Sequence, residues 1–146
     1  MCLHCNYQEI LESAGLEPTD NRIRVIEVIG NNGYPLTAAD VFKTVERTQS
    51  INKVTVYRIL DLLSEKNIIE RLSTGGRAAC YGMAPNKNHL SHPHFYCTEC
   101  GQMDCLSPGS LSVHLDNLEK TFPGEIDRVE VRVDGRCRNC LKQMKM

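Results

Sequence analysis

Two pairs of cysteines have the spacing of a metal site. Each pair has the form Cys-x-x-Cys, and the four residues are Cys97, Cys100, Cys137 and Cys140. One such pair can present two thiolates to a single ion, and two pairs complete the tetrahedral sulfur shell that structural zinc prefers. Disulfides or unpaired core thiols are the alternatives, but no secretory signal accompanies these cysteines. The spacing therefore predicts a structural zinc bound by four thiolates.

A second group of metal-binding side chains lies just before the first pair. His89, His92 and His94 fall within six positions, and His92 and His94 point the same way if the segment is extended. Cys80 and Cys105 belong to no pair and could turn towards the histidines. A mixed shell of nitrogen and sulfur favours zinc over ferrous iron or manganese. The alternative for both thiols is that they are small buried hydrophobic side chains.

The segments before the histidines have the pattern of helices followed by a hairpin. One helix is predicted over residues 7–14, ended by Gly15, and three more begin at the caps Thr19, Thr37 and Asn52. The fourth helix is predicted to end at Lys66-Asn67 and to bury Val54, Val56, Ile59, Leu60, Leu62 and Leu63. A hairpin over residues 68–81, with its turn at 73–76, completes a predicted winged helix-turn-helix.

The start of the fourth helix carries side chains that suit DNA. In helix-turn-helix folds the second helix of the pair enters the major groove. Lys53 and Arg58 can contact phosphate or guanine, and Tyr57 can bind phosphate or pack on a thymine methyl group. An ordinary solvated helix face is the alternative. Residues 1–84 hold nine basic and ten acidic side chains, so we expect DNA affinity to depend on dimerisation.

The second part of the chain predicts a small mixed domain. A polar segment at 85–88 is typical of a hinge. Strands are predicted at 94–97 and 102–106, a helix at 110–122 and a strand at 128–133. The predicted fold is therefore α+β, with a winged-helix domain at 1–84, the hinge, and a zinc-stapled α/β domain at 89–146. Three short strands and one helix bury little apolar surface alone, which favours pairing with a second copy.

Composition excludes several classes of function. The 146 residues carry a net charge of −1, which gives no overall field for nucleic acid or anionic membrane. We expect no membrane span, because no run of about 18 apolar residues occurs. Six of the eight cysteines form Cys-x-x-Cys pairs, the third being Cys2 and Cys5, and without an export signal they indicate a reducing cytoplasm. No hydrolase or nucleophile motif is present, so an enzyme is disfavoured. A protein-interaction module without DNA binding remains an alternative.

Four motifs, in this order, resemble the ferric uptake regulator family of metal-dependent bacterial repressors. The first is Ala14-Gly-Leu16 followed by Thr19-Asp-Asn-Arg22, and the others are Thr55-Val-Tyr-Arg-Ile-Leu60, His92-Pro-His-Phe-Tyr-Cys-Thr-Glu-Cys-Gly101 and Cys137-Arg-Asn-Cys140. The resemblance covers nearly the whole chain and implies a homodimer, a four-cysteine structural zinc and a second metal at the hinge. It also implies binding to an AT-rich palindromic duplex, and it adds Arg22 and Thr55 to the expected DNA contacts.

Several residues depart from the pattern of that family. Glu17 stands where a basic residue is common, and Tyr34 and Pro35 stand where a metal-binding histidine is usual. Cys105 replaces a carboxylate, which shifts the second metal site towards sulfur and resembles the zinc-responsive branch. The resulting ligand set for a sensory zinc is Cys80, His92, His94 and Cys105, with His89 as an alternative ligand. We therefore expect a zinc-sensing repressor; an iron-, manganese- or peroxide-responsive regulator of the same family is the alternative.

Overall fold

The chain forms two compact units, each with its own three-stranded sheet. The computed structural model describes residues 6–86 and 90–144. The units are Met1–Ser91 and His92–Met146. Within the described ranges, no helix is both long and apolar enough to cross a membrane. His89, Cys2 and Cys5 lie outside these ranges, as does part of the predicted hinge, so the limits 85–88 stay a prediction.

Among its described residues, the first unit contains four helices and three short strands. In chain order they are α1 (Tyr7–Ser13), α2 (Asp20–Gly30), β1 (Leu36–Thr37), α3 (Ala38–Val45), α4 (Lys53–Glu65), β2 (Ile69–Ser73) and β3 (Ala79–Met83). The side chains of Thr19, Thr37 and Asn52 each accept a hydrogen bond from the backbone N–H three residues later. These bonds satisfy donors that a helix start leaves free, and they confirm the three predicted caps.

Two residues with positive φ end helices of the first unit. Gly15 follows α1 at φ +76°, a conformation that glycine adopts without steric cost. Asn67 follows α4 at φ +58°, where asparagine is tolerated better than most residues. Both positions confirm the helix ends predicted from the sequence.

The sheet of the first unit confirms the predicted hairpin and adds a strand. Its order is β1-β3-β2, with both neighbouring pairs antiparallel. Tyr81 on β3 pairs with Arg71 on β2 and with Leu36 on β1. The two-residue strand β1 was not predicted, because so short a segment has no periodic pattern of its own.

One apolar cluster unites the helices and the sheet of the first unit. Its most deeply buried members include Leu11, Val25, Ile26, Val41, Val45, Val56, Leu60 and Leu63. The prediction that Val54 is buried was wrong, because its side chain is 56% exposed. At about 100° per residue, Val54 points almost opposite to Val56 and Leu63 on the same helix.

The second unit is built around one central strand. Its elements are β4 (His94–Cys97), β5 (Met103–Cys105), α5 (Asp116–Thr121), β6 (Arg132–Gly135) and α6 (Arg138–Met144). The sheet order is β5-β4-β6, with β5 antiparallel and β6 parallel to β4. Helix α6 was not predicted. The predicted strand over 128–133 was shifted, because β6 takes its register from β4, with Cys97 opposite Gly135.

The predicted helix over 110–122 was too long. Only Asp116–Thr121 is helical, and the residue at its N-cap, Leu115, makes no side-chain cap hydrogen bond. Leu111 and Val113, which gave the sequence its helical pattern, are exposed at 42% and 49%. A short helix needs a packed apolar face to be stable, and within the described residues this segment has little such packing.

Candidate metal centres and nucleic-acid interface

Four cysteines of the second unit come together around one point. Cys97 ends β4 and Cys100 lies in the turn that follows, where Gly101 adopts φ +78°. Cys137 and Cys140 lie at the start of α6, directly after β6. Because β4 and β6 run parallel and side by side, both pairs arrive at the same end of the sheet. The backbone N–H of Thr98 donates to the carbonyl of Gly135 over 2.8 Å, which holds the two ends together.

The distances between these sulfur atoms fit a tetrahedral metal. The sulfur atoms of Cys97 and Cys140 are 3.7 Å apart, and those of Cys100 and Cys137 are 3.8 Å apart. All four lie within 4.8 Å of one another. Zinc–sulfur bonds of about 2.3 Å place the corners of a regular tetrahedron about 3.8 Å apart. The cluster therefore has the donor atoms and the dimensions of a four-thiolate zinc site.

Backbone hydrogen bonds already favour a thiolate in this cluster. N–H groups of Cys100 and Cys137 lower the pKa of Cys97 to about 6, and the Cys137 N–H lies 3.3 Å from its sulfur. Contact with the Cys137 thiol and burial raise the pKa of Cys140 to about 12. Four adjacent sulfurs cannot all carry a negative charge without a cation between them, so a bound metal would displace the thiol protons that remain.

A second cluster joins His92, His94 and Cys105. Their donor atoms all lie within 4.8 Å of one another. His94 on β4 pairs directly with Cys105 on β5, and the ring centroids of His92 and His94 are 4.6 Å apart. Side chains of directly opposite residues lie on the same face of a sheet, which explains how strand pairing adds the thiol to the histidines. In the sequence Cys105 follows His94 by 11 positions and His92 by 13, and the pairing of β4 with β5 brings it to them.

The environment keeps His94 in the form that binds metal. Burial, followed by the neighbouring His92, lowers the pKa of His94 to about 4. Its imidazole is therefore neutral near pH 7, with a lone pair available to a cation. Cys105 is exposed, so a metal could reach the cluster from solvent. Two nitrogens and one sulfur form an incomplete shell, which a fourth ligand or water would complete.

Two other predicted sensor ligands have different positions. Cys80 belongs to the first unit, where it lies buried on β3 between Thr37 and Leu72. Burial, with a smaller contribution from Asp40, raises the pKa of its thiol. Cys80 therefore has the environment of a buried apolar side chain. His89 lies outside the described residues. The structure groups three of the five predicted sensor ligands, and the roles of the other two stay predictions.

The predicted DNA contacts lie mainly on α4. Lys53 and Arg58 are exposed, and the ammonium of Lys53 lies 5.7 Å from the centre of the Tyr57 ring. The N–H of Thr55 donates to the cap Asn52. Arg22 lies on α2 instead, and its guanidinium donates to the Glu17 carbonyl over 3.0 Å. In this structure Arg22 therefore supports the loop before α2.

The sequence and the fold both match known proteins. Residues 13–122 match the model of the ferric uptake regulator family. A ferric uptake regulation protein of Bacillus subtilis is 27% identical over 132 residues, which covers 89% of each chain. The ferric uptake regulator of Vibrio cholerae has a TM-score of 0.73 at 20% identity, covering 90% of this chain and all of the other.

A zinc uptake regulator solved with zinc and DNA has the same fold. Its TM-score is 0.61 at 18% identity, covering 97% of this chain and 99% of the other. At such identity, the likeness shows a shared architecture, an N-terminal winged helix and a small C-terminal α/β domain. The family match spans most of the chain and includes α2, α4 and the first cysteine pair. The protein belongs to the ferric uptake regulator family, and is a metal-responsive transcription regulator and not an enzyme.

Proposed function

We propose that the protein is a zinc-responsive repressor that binds operator DNA as a homodimer. The observation that carries this proposal is the pair of separate donor clusters in the second unit. One has four sulfurs with the dimensions of a zinc tetrahedron, and the other has two imidazoles and one thiol. In this proposal one metal is bound permanently for the fold and a second, exchangeable metal is the signal. The two clusters suit these two tasks.

The donor atoms of the second cluster support zinc as the signal. Sulfur is a soft ligand, and a shell of imidazole and thiolate suits zinc better than ferrous iron or manganese. Those two metals more often take oxygen donors, and Cys105 contributes sulfur. A reducing cytoplasm, in which the thiols stay available to metal, is the proposed location. The zinc uptake regulator with this fold was solved with zinc bound, which agrees with the proposal.

The first unit supports the DNA-binding part of the proposal. Helix α4 is the second helix of the helix-turn-helix pair, and its first turns carry exposed Lys53 and Arg58. Its core face is anchored on the sheet and the other helices, so the opposite face is free to enter a groove. The operator is a palindrome in this proposal, because two-fold related half-sites match a homodimer. Its AT-rich composition is what the resemblance to the family implies. Occupied sensor ligands would favour the conformation that binds DNA.

The test separates the sensor site from the structural site. Purified protein is treated with a mild chelator, its zinc is counted by elemental analysis, and binding to a duplex selected from a random pool is measured by fluorescence anisotropy. We expect one zinc per chain to resist chelation. Adding a second equivalent should strengthen DNA binding about tenfold or more, within the usual range of allosteric coupling.

Two variants make the test specific. The double variant His94→Ala, Cys105→Ser, which removes two of the three grouped donors, should lose the zinc response and keep the resistant zinc. His114→Ala is the matched control, since His114 is an exposed histidine of the same unit that belongs to neither described cluster. A zinc response in the double variant equal to that of the wild type would refute this sensor site. A response to iron or manganese alone would identify a different signal. Loss of binding with peroxide and recovery with thiol, at constant zinc, would favour a redox sensor.

A further inference from the structure

The outward face of α4 presents an apolar side chain where DNA would lie. Val54 is the second residue of this helix and is 56% exposed. The buried side of the helix consists of Val56, Ile59, Leu60 and Leu63, each exposed by 8% or less. Val54 is therefore not part of the core, and the isopropyl group of Val54 faces solvent.

Helical geometry places Val54 at the middle of that face. At about 100° per residue, Val54, Arg58, Asp61 and Glu65 fall within about 60° of one another, roughly opposite the buried side. All four are exposed, and Glu65 is the last residue of the helix. Lys53 and Thr55 lie about 100° to either side, where they would meet the walls of a groove. Val54 is the apolar member of this outward row.

Charge along the row indicates which end of α4 approaches DNA. Arg58 lies next to Val54 in the row, whereas Asp61 and Glu65 follow towards the C-terminal end. The two carboxylates would be repelled by the DNA phosphates. The N-terminal turns of α4 can therefore insert more deeply into the major groove than its C-terminal end. Among base edges in the major groove, the thymine 5-methyl group is the apolar feature. A valine at the deepest point of the helix therefore fits thymine.

We propose that Val54 is a specificity-determining residue that packs against a thymine 5-methyl group in each half-site. This inference rests on the proposed DNA-binding function and assigns a base contact within it. Tyr57, the other side chain that could meet a methyl group, is partly packed against the core, and the Lys53 ammonium lies over its ring. Tyr57 is therefore better placed to position Lys53 than to read a base.

The experiment changes only the methyl group. The wild-type, zinc-loaded protein selects a duplex from a random pool, and each thymine is then replaced in turn by deoxyuridine, which lacks the 5-methyl group. At one position per half-site, we expect deoxyuridine to raise the dissociation constant about fourfold. This is the change expected when one methyl-sized apolar group is no longer buried in the complex. In Val54→Ala the same substitution should change the dissociation constant by less than about 1.5-fold, since the shorter side chain does not reach the methyl group.

Two control variants test whether Val54→Ala weakens DNA binding in general and not only the contact with the thymine methyl group. Val54→Ile retains the branched side chain and should retain the preference for thymine. Lys53→Ala should weaken binding to both duplexes by the same factor, because a phosphate contact carries no base information. Thermal unfolding verifies that each variant is folded.

Three outcomes would count against these conclusions in different ways. If the wild type bound the thymine and deoxyuridine duplexes equally at every position, the methyl contact would be excluded. If Val54→Ala kept the full preference for thymine, another residue would read the methyl group. If the wild type bound no duplex with any metal, the proposed function would fail and this inference with it.

Discussion

Single cysteines decide the chemistry of the four-sulfur cluster. Cys97 is the most buried member, and the N–H groups of Cys100 and Cys137 lower its pKa. These N–H groups stabilise negative charge on sulfur before any metal arrives. Cys140, whose pKa is raised, gives up its proton only when a cation replaces it. Zinc uptake should therefore release protons, and each ligand should be necessary for tight binding.

The variant Cys97→Ser tests this expectation. A serine hydroxyl does not replace a thiolate at zinc, so the chelation-resistant zinc should fall from one per chain to none. The second unit should also unfold at a lower temperature, because few of its described side chains are buried. Elemental analysis and thermal unfolding measure the two effects. Cys105→Ser is the control and should keep this zinc; a fully zinc-loaded Cys97→Ser protein would disprove the assignment.

At the scale of elements, side-chain caps set where the helices of the first unit begin. Thr37 accepts a hydrogen bond from the Asp40 N–H over 3.2 Å, and its backbone also belongs to β1. One residue thus ends a strand and starts α3. The position of α3 in turn sets the approach of α4, because the two helices pack on a common core.

Replacing Thr37 by alanine should destabilise the first unit by about 1 kcal/mol, the usual effect of losing a helix cap. Thr44→Ala is the matched control on the same helix. The Thr44 hydroxyl donates to the backbone carbonyl of Asp40, and both residues lie within α3. Because this bond does not cap a helix end, its loss should have a smaller effect on stability. Denaturant unfolding followed by circular dichroism gives both free energies. An equal loss in the two variants would argue against the cap.

At the scale of the whole molecule, the second unit leaves much apolar surface exposed. Its described residues include nine large hydrophobic side chains with at least 37% exposure, which are Leu111, Val113, Leu118, Phe122, Ile126, Val129, Val133, Leu141 and Met144. Where such side chains form a contiguous patch, the patch often marks an interaction site. In the proposed homodimer, part of this surface is covered by the second copy, which would also let the segment around α5 pack.

The substitution Leu118→Glu on α5 should shift the protein from dimer to monomer at micromolar concentration. Leu118 is 44% exposed, so the free unit can tolerate a carboxylate there, whereas a buried interface cannot. Sedimentation velocity measures the mass of the species in solution. Glu119→Gln is the control, since it changes a neighbouring exposed residue and should leave the dimer intact. An unchanged dimer in Leu118→Glu would place the interface elsewhere.

The sequence by itself determined the features that depend on neighbouring residues. Caps such as Thr19 and Asn52, the helix ends at Gly15 and Asn67, and the hairpin of the first unit depend on local chemistry and were predicted. The two Cys-x-x-Cys pairs predicted a four-sulfur cluster for a similar reason, because the spacing fixes the geometry of each pair.

Only the tertiary structure decided the features that depend on distant partners. Cys105 joins His92 and His94 because β5 pairs with β4, and strand register is not encoded in the spacing of the ligands. The helix predicted over 110–122 was shortened to Asp116–Thr121, since local helical preference is weak without a packed face. Val54 is predicted to be buried because it is apolar, but helical periodicity puts it opposite Val56 and Leu63, and the core packs against their side of α4. Burial is a property of the assembled fold, so residue type alone cannot set it.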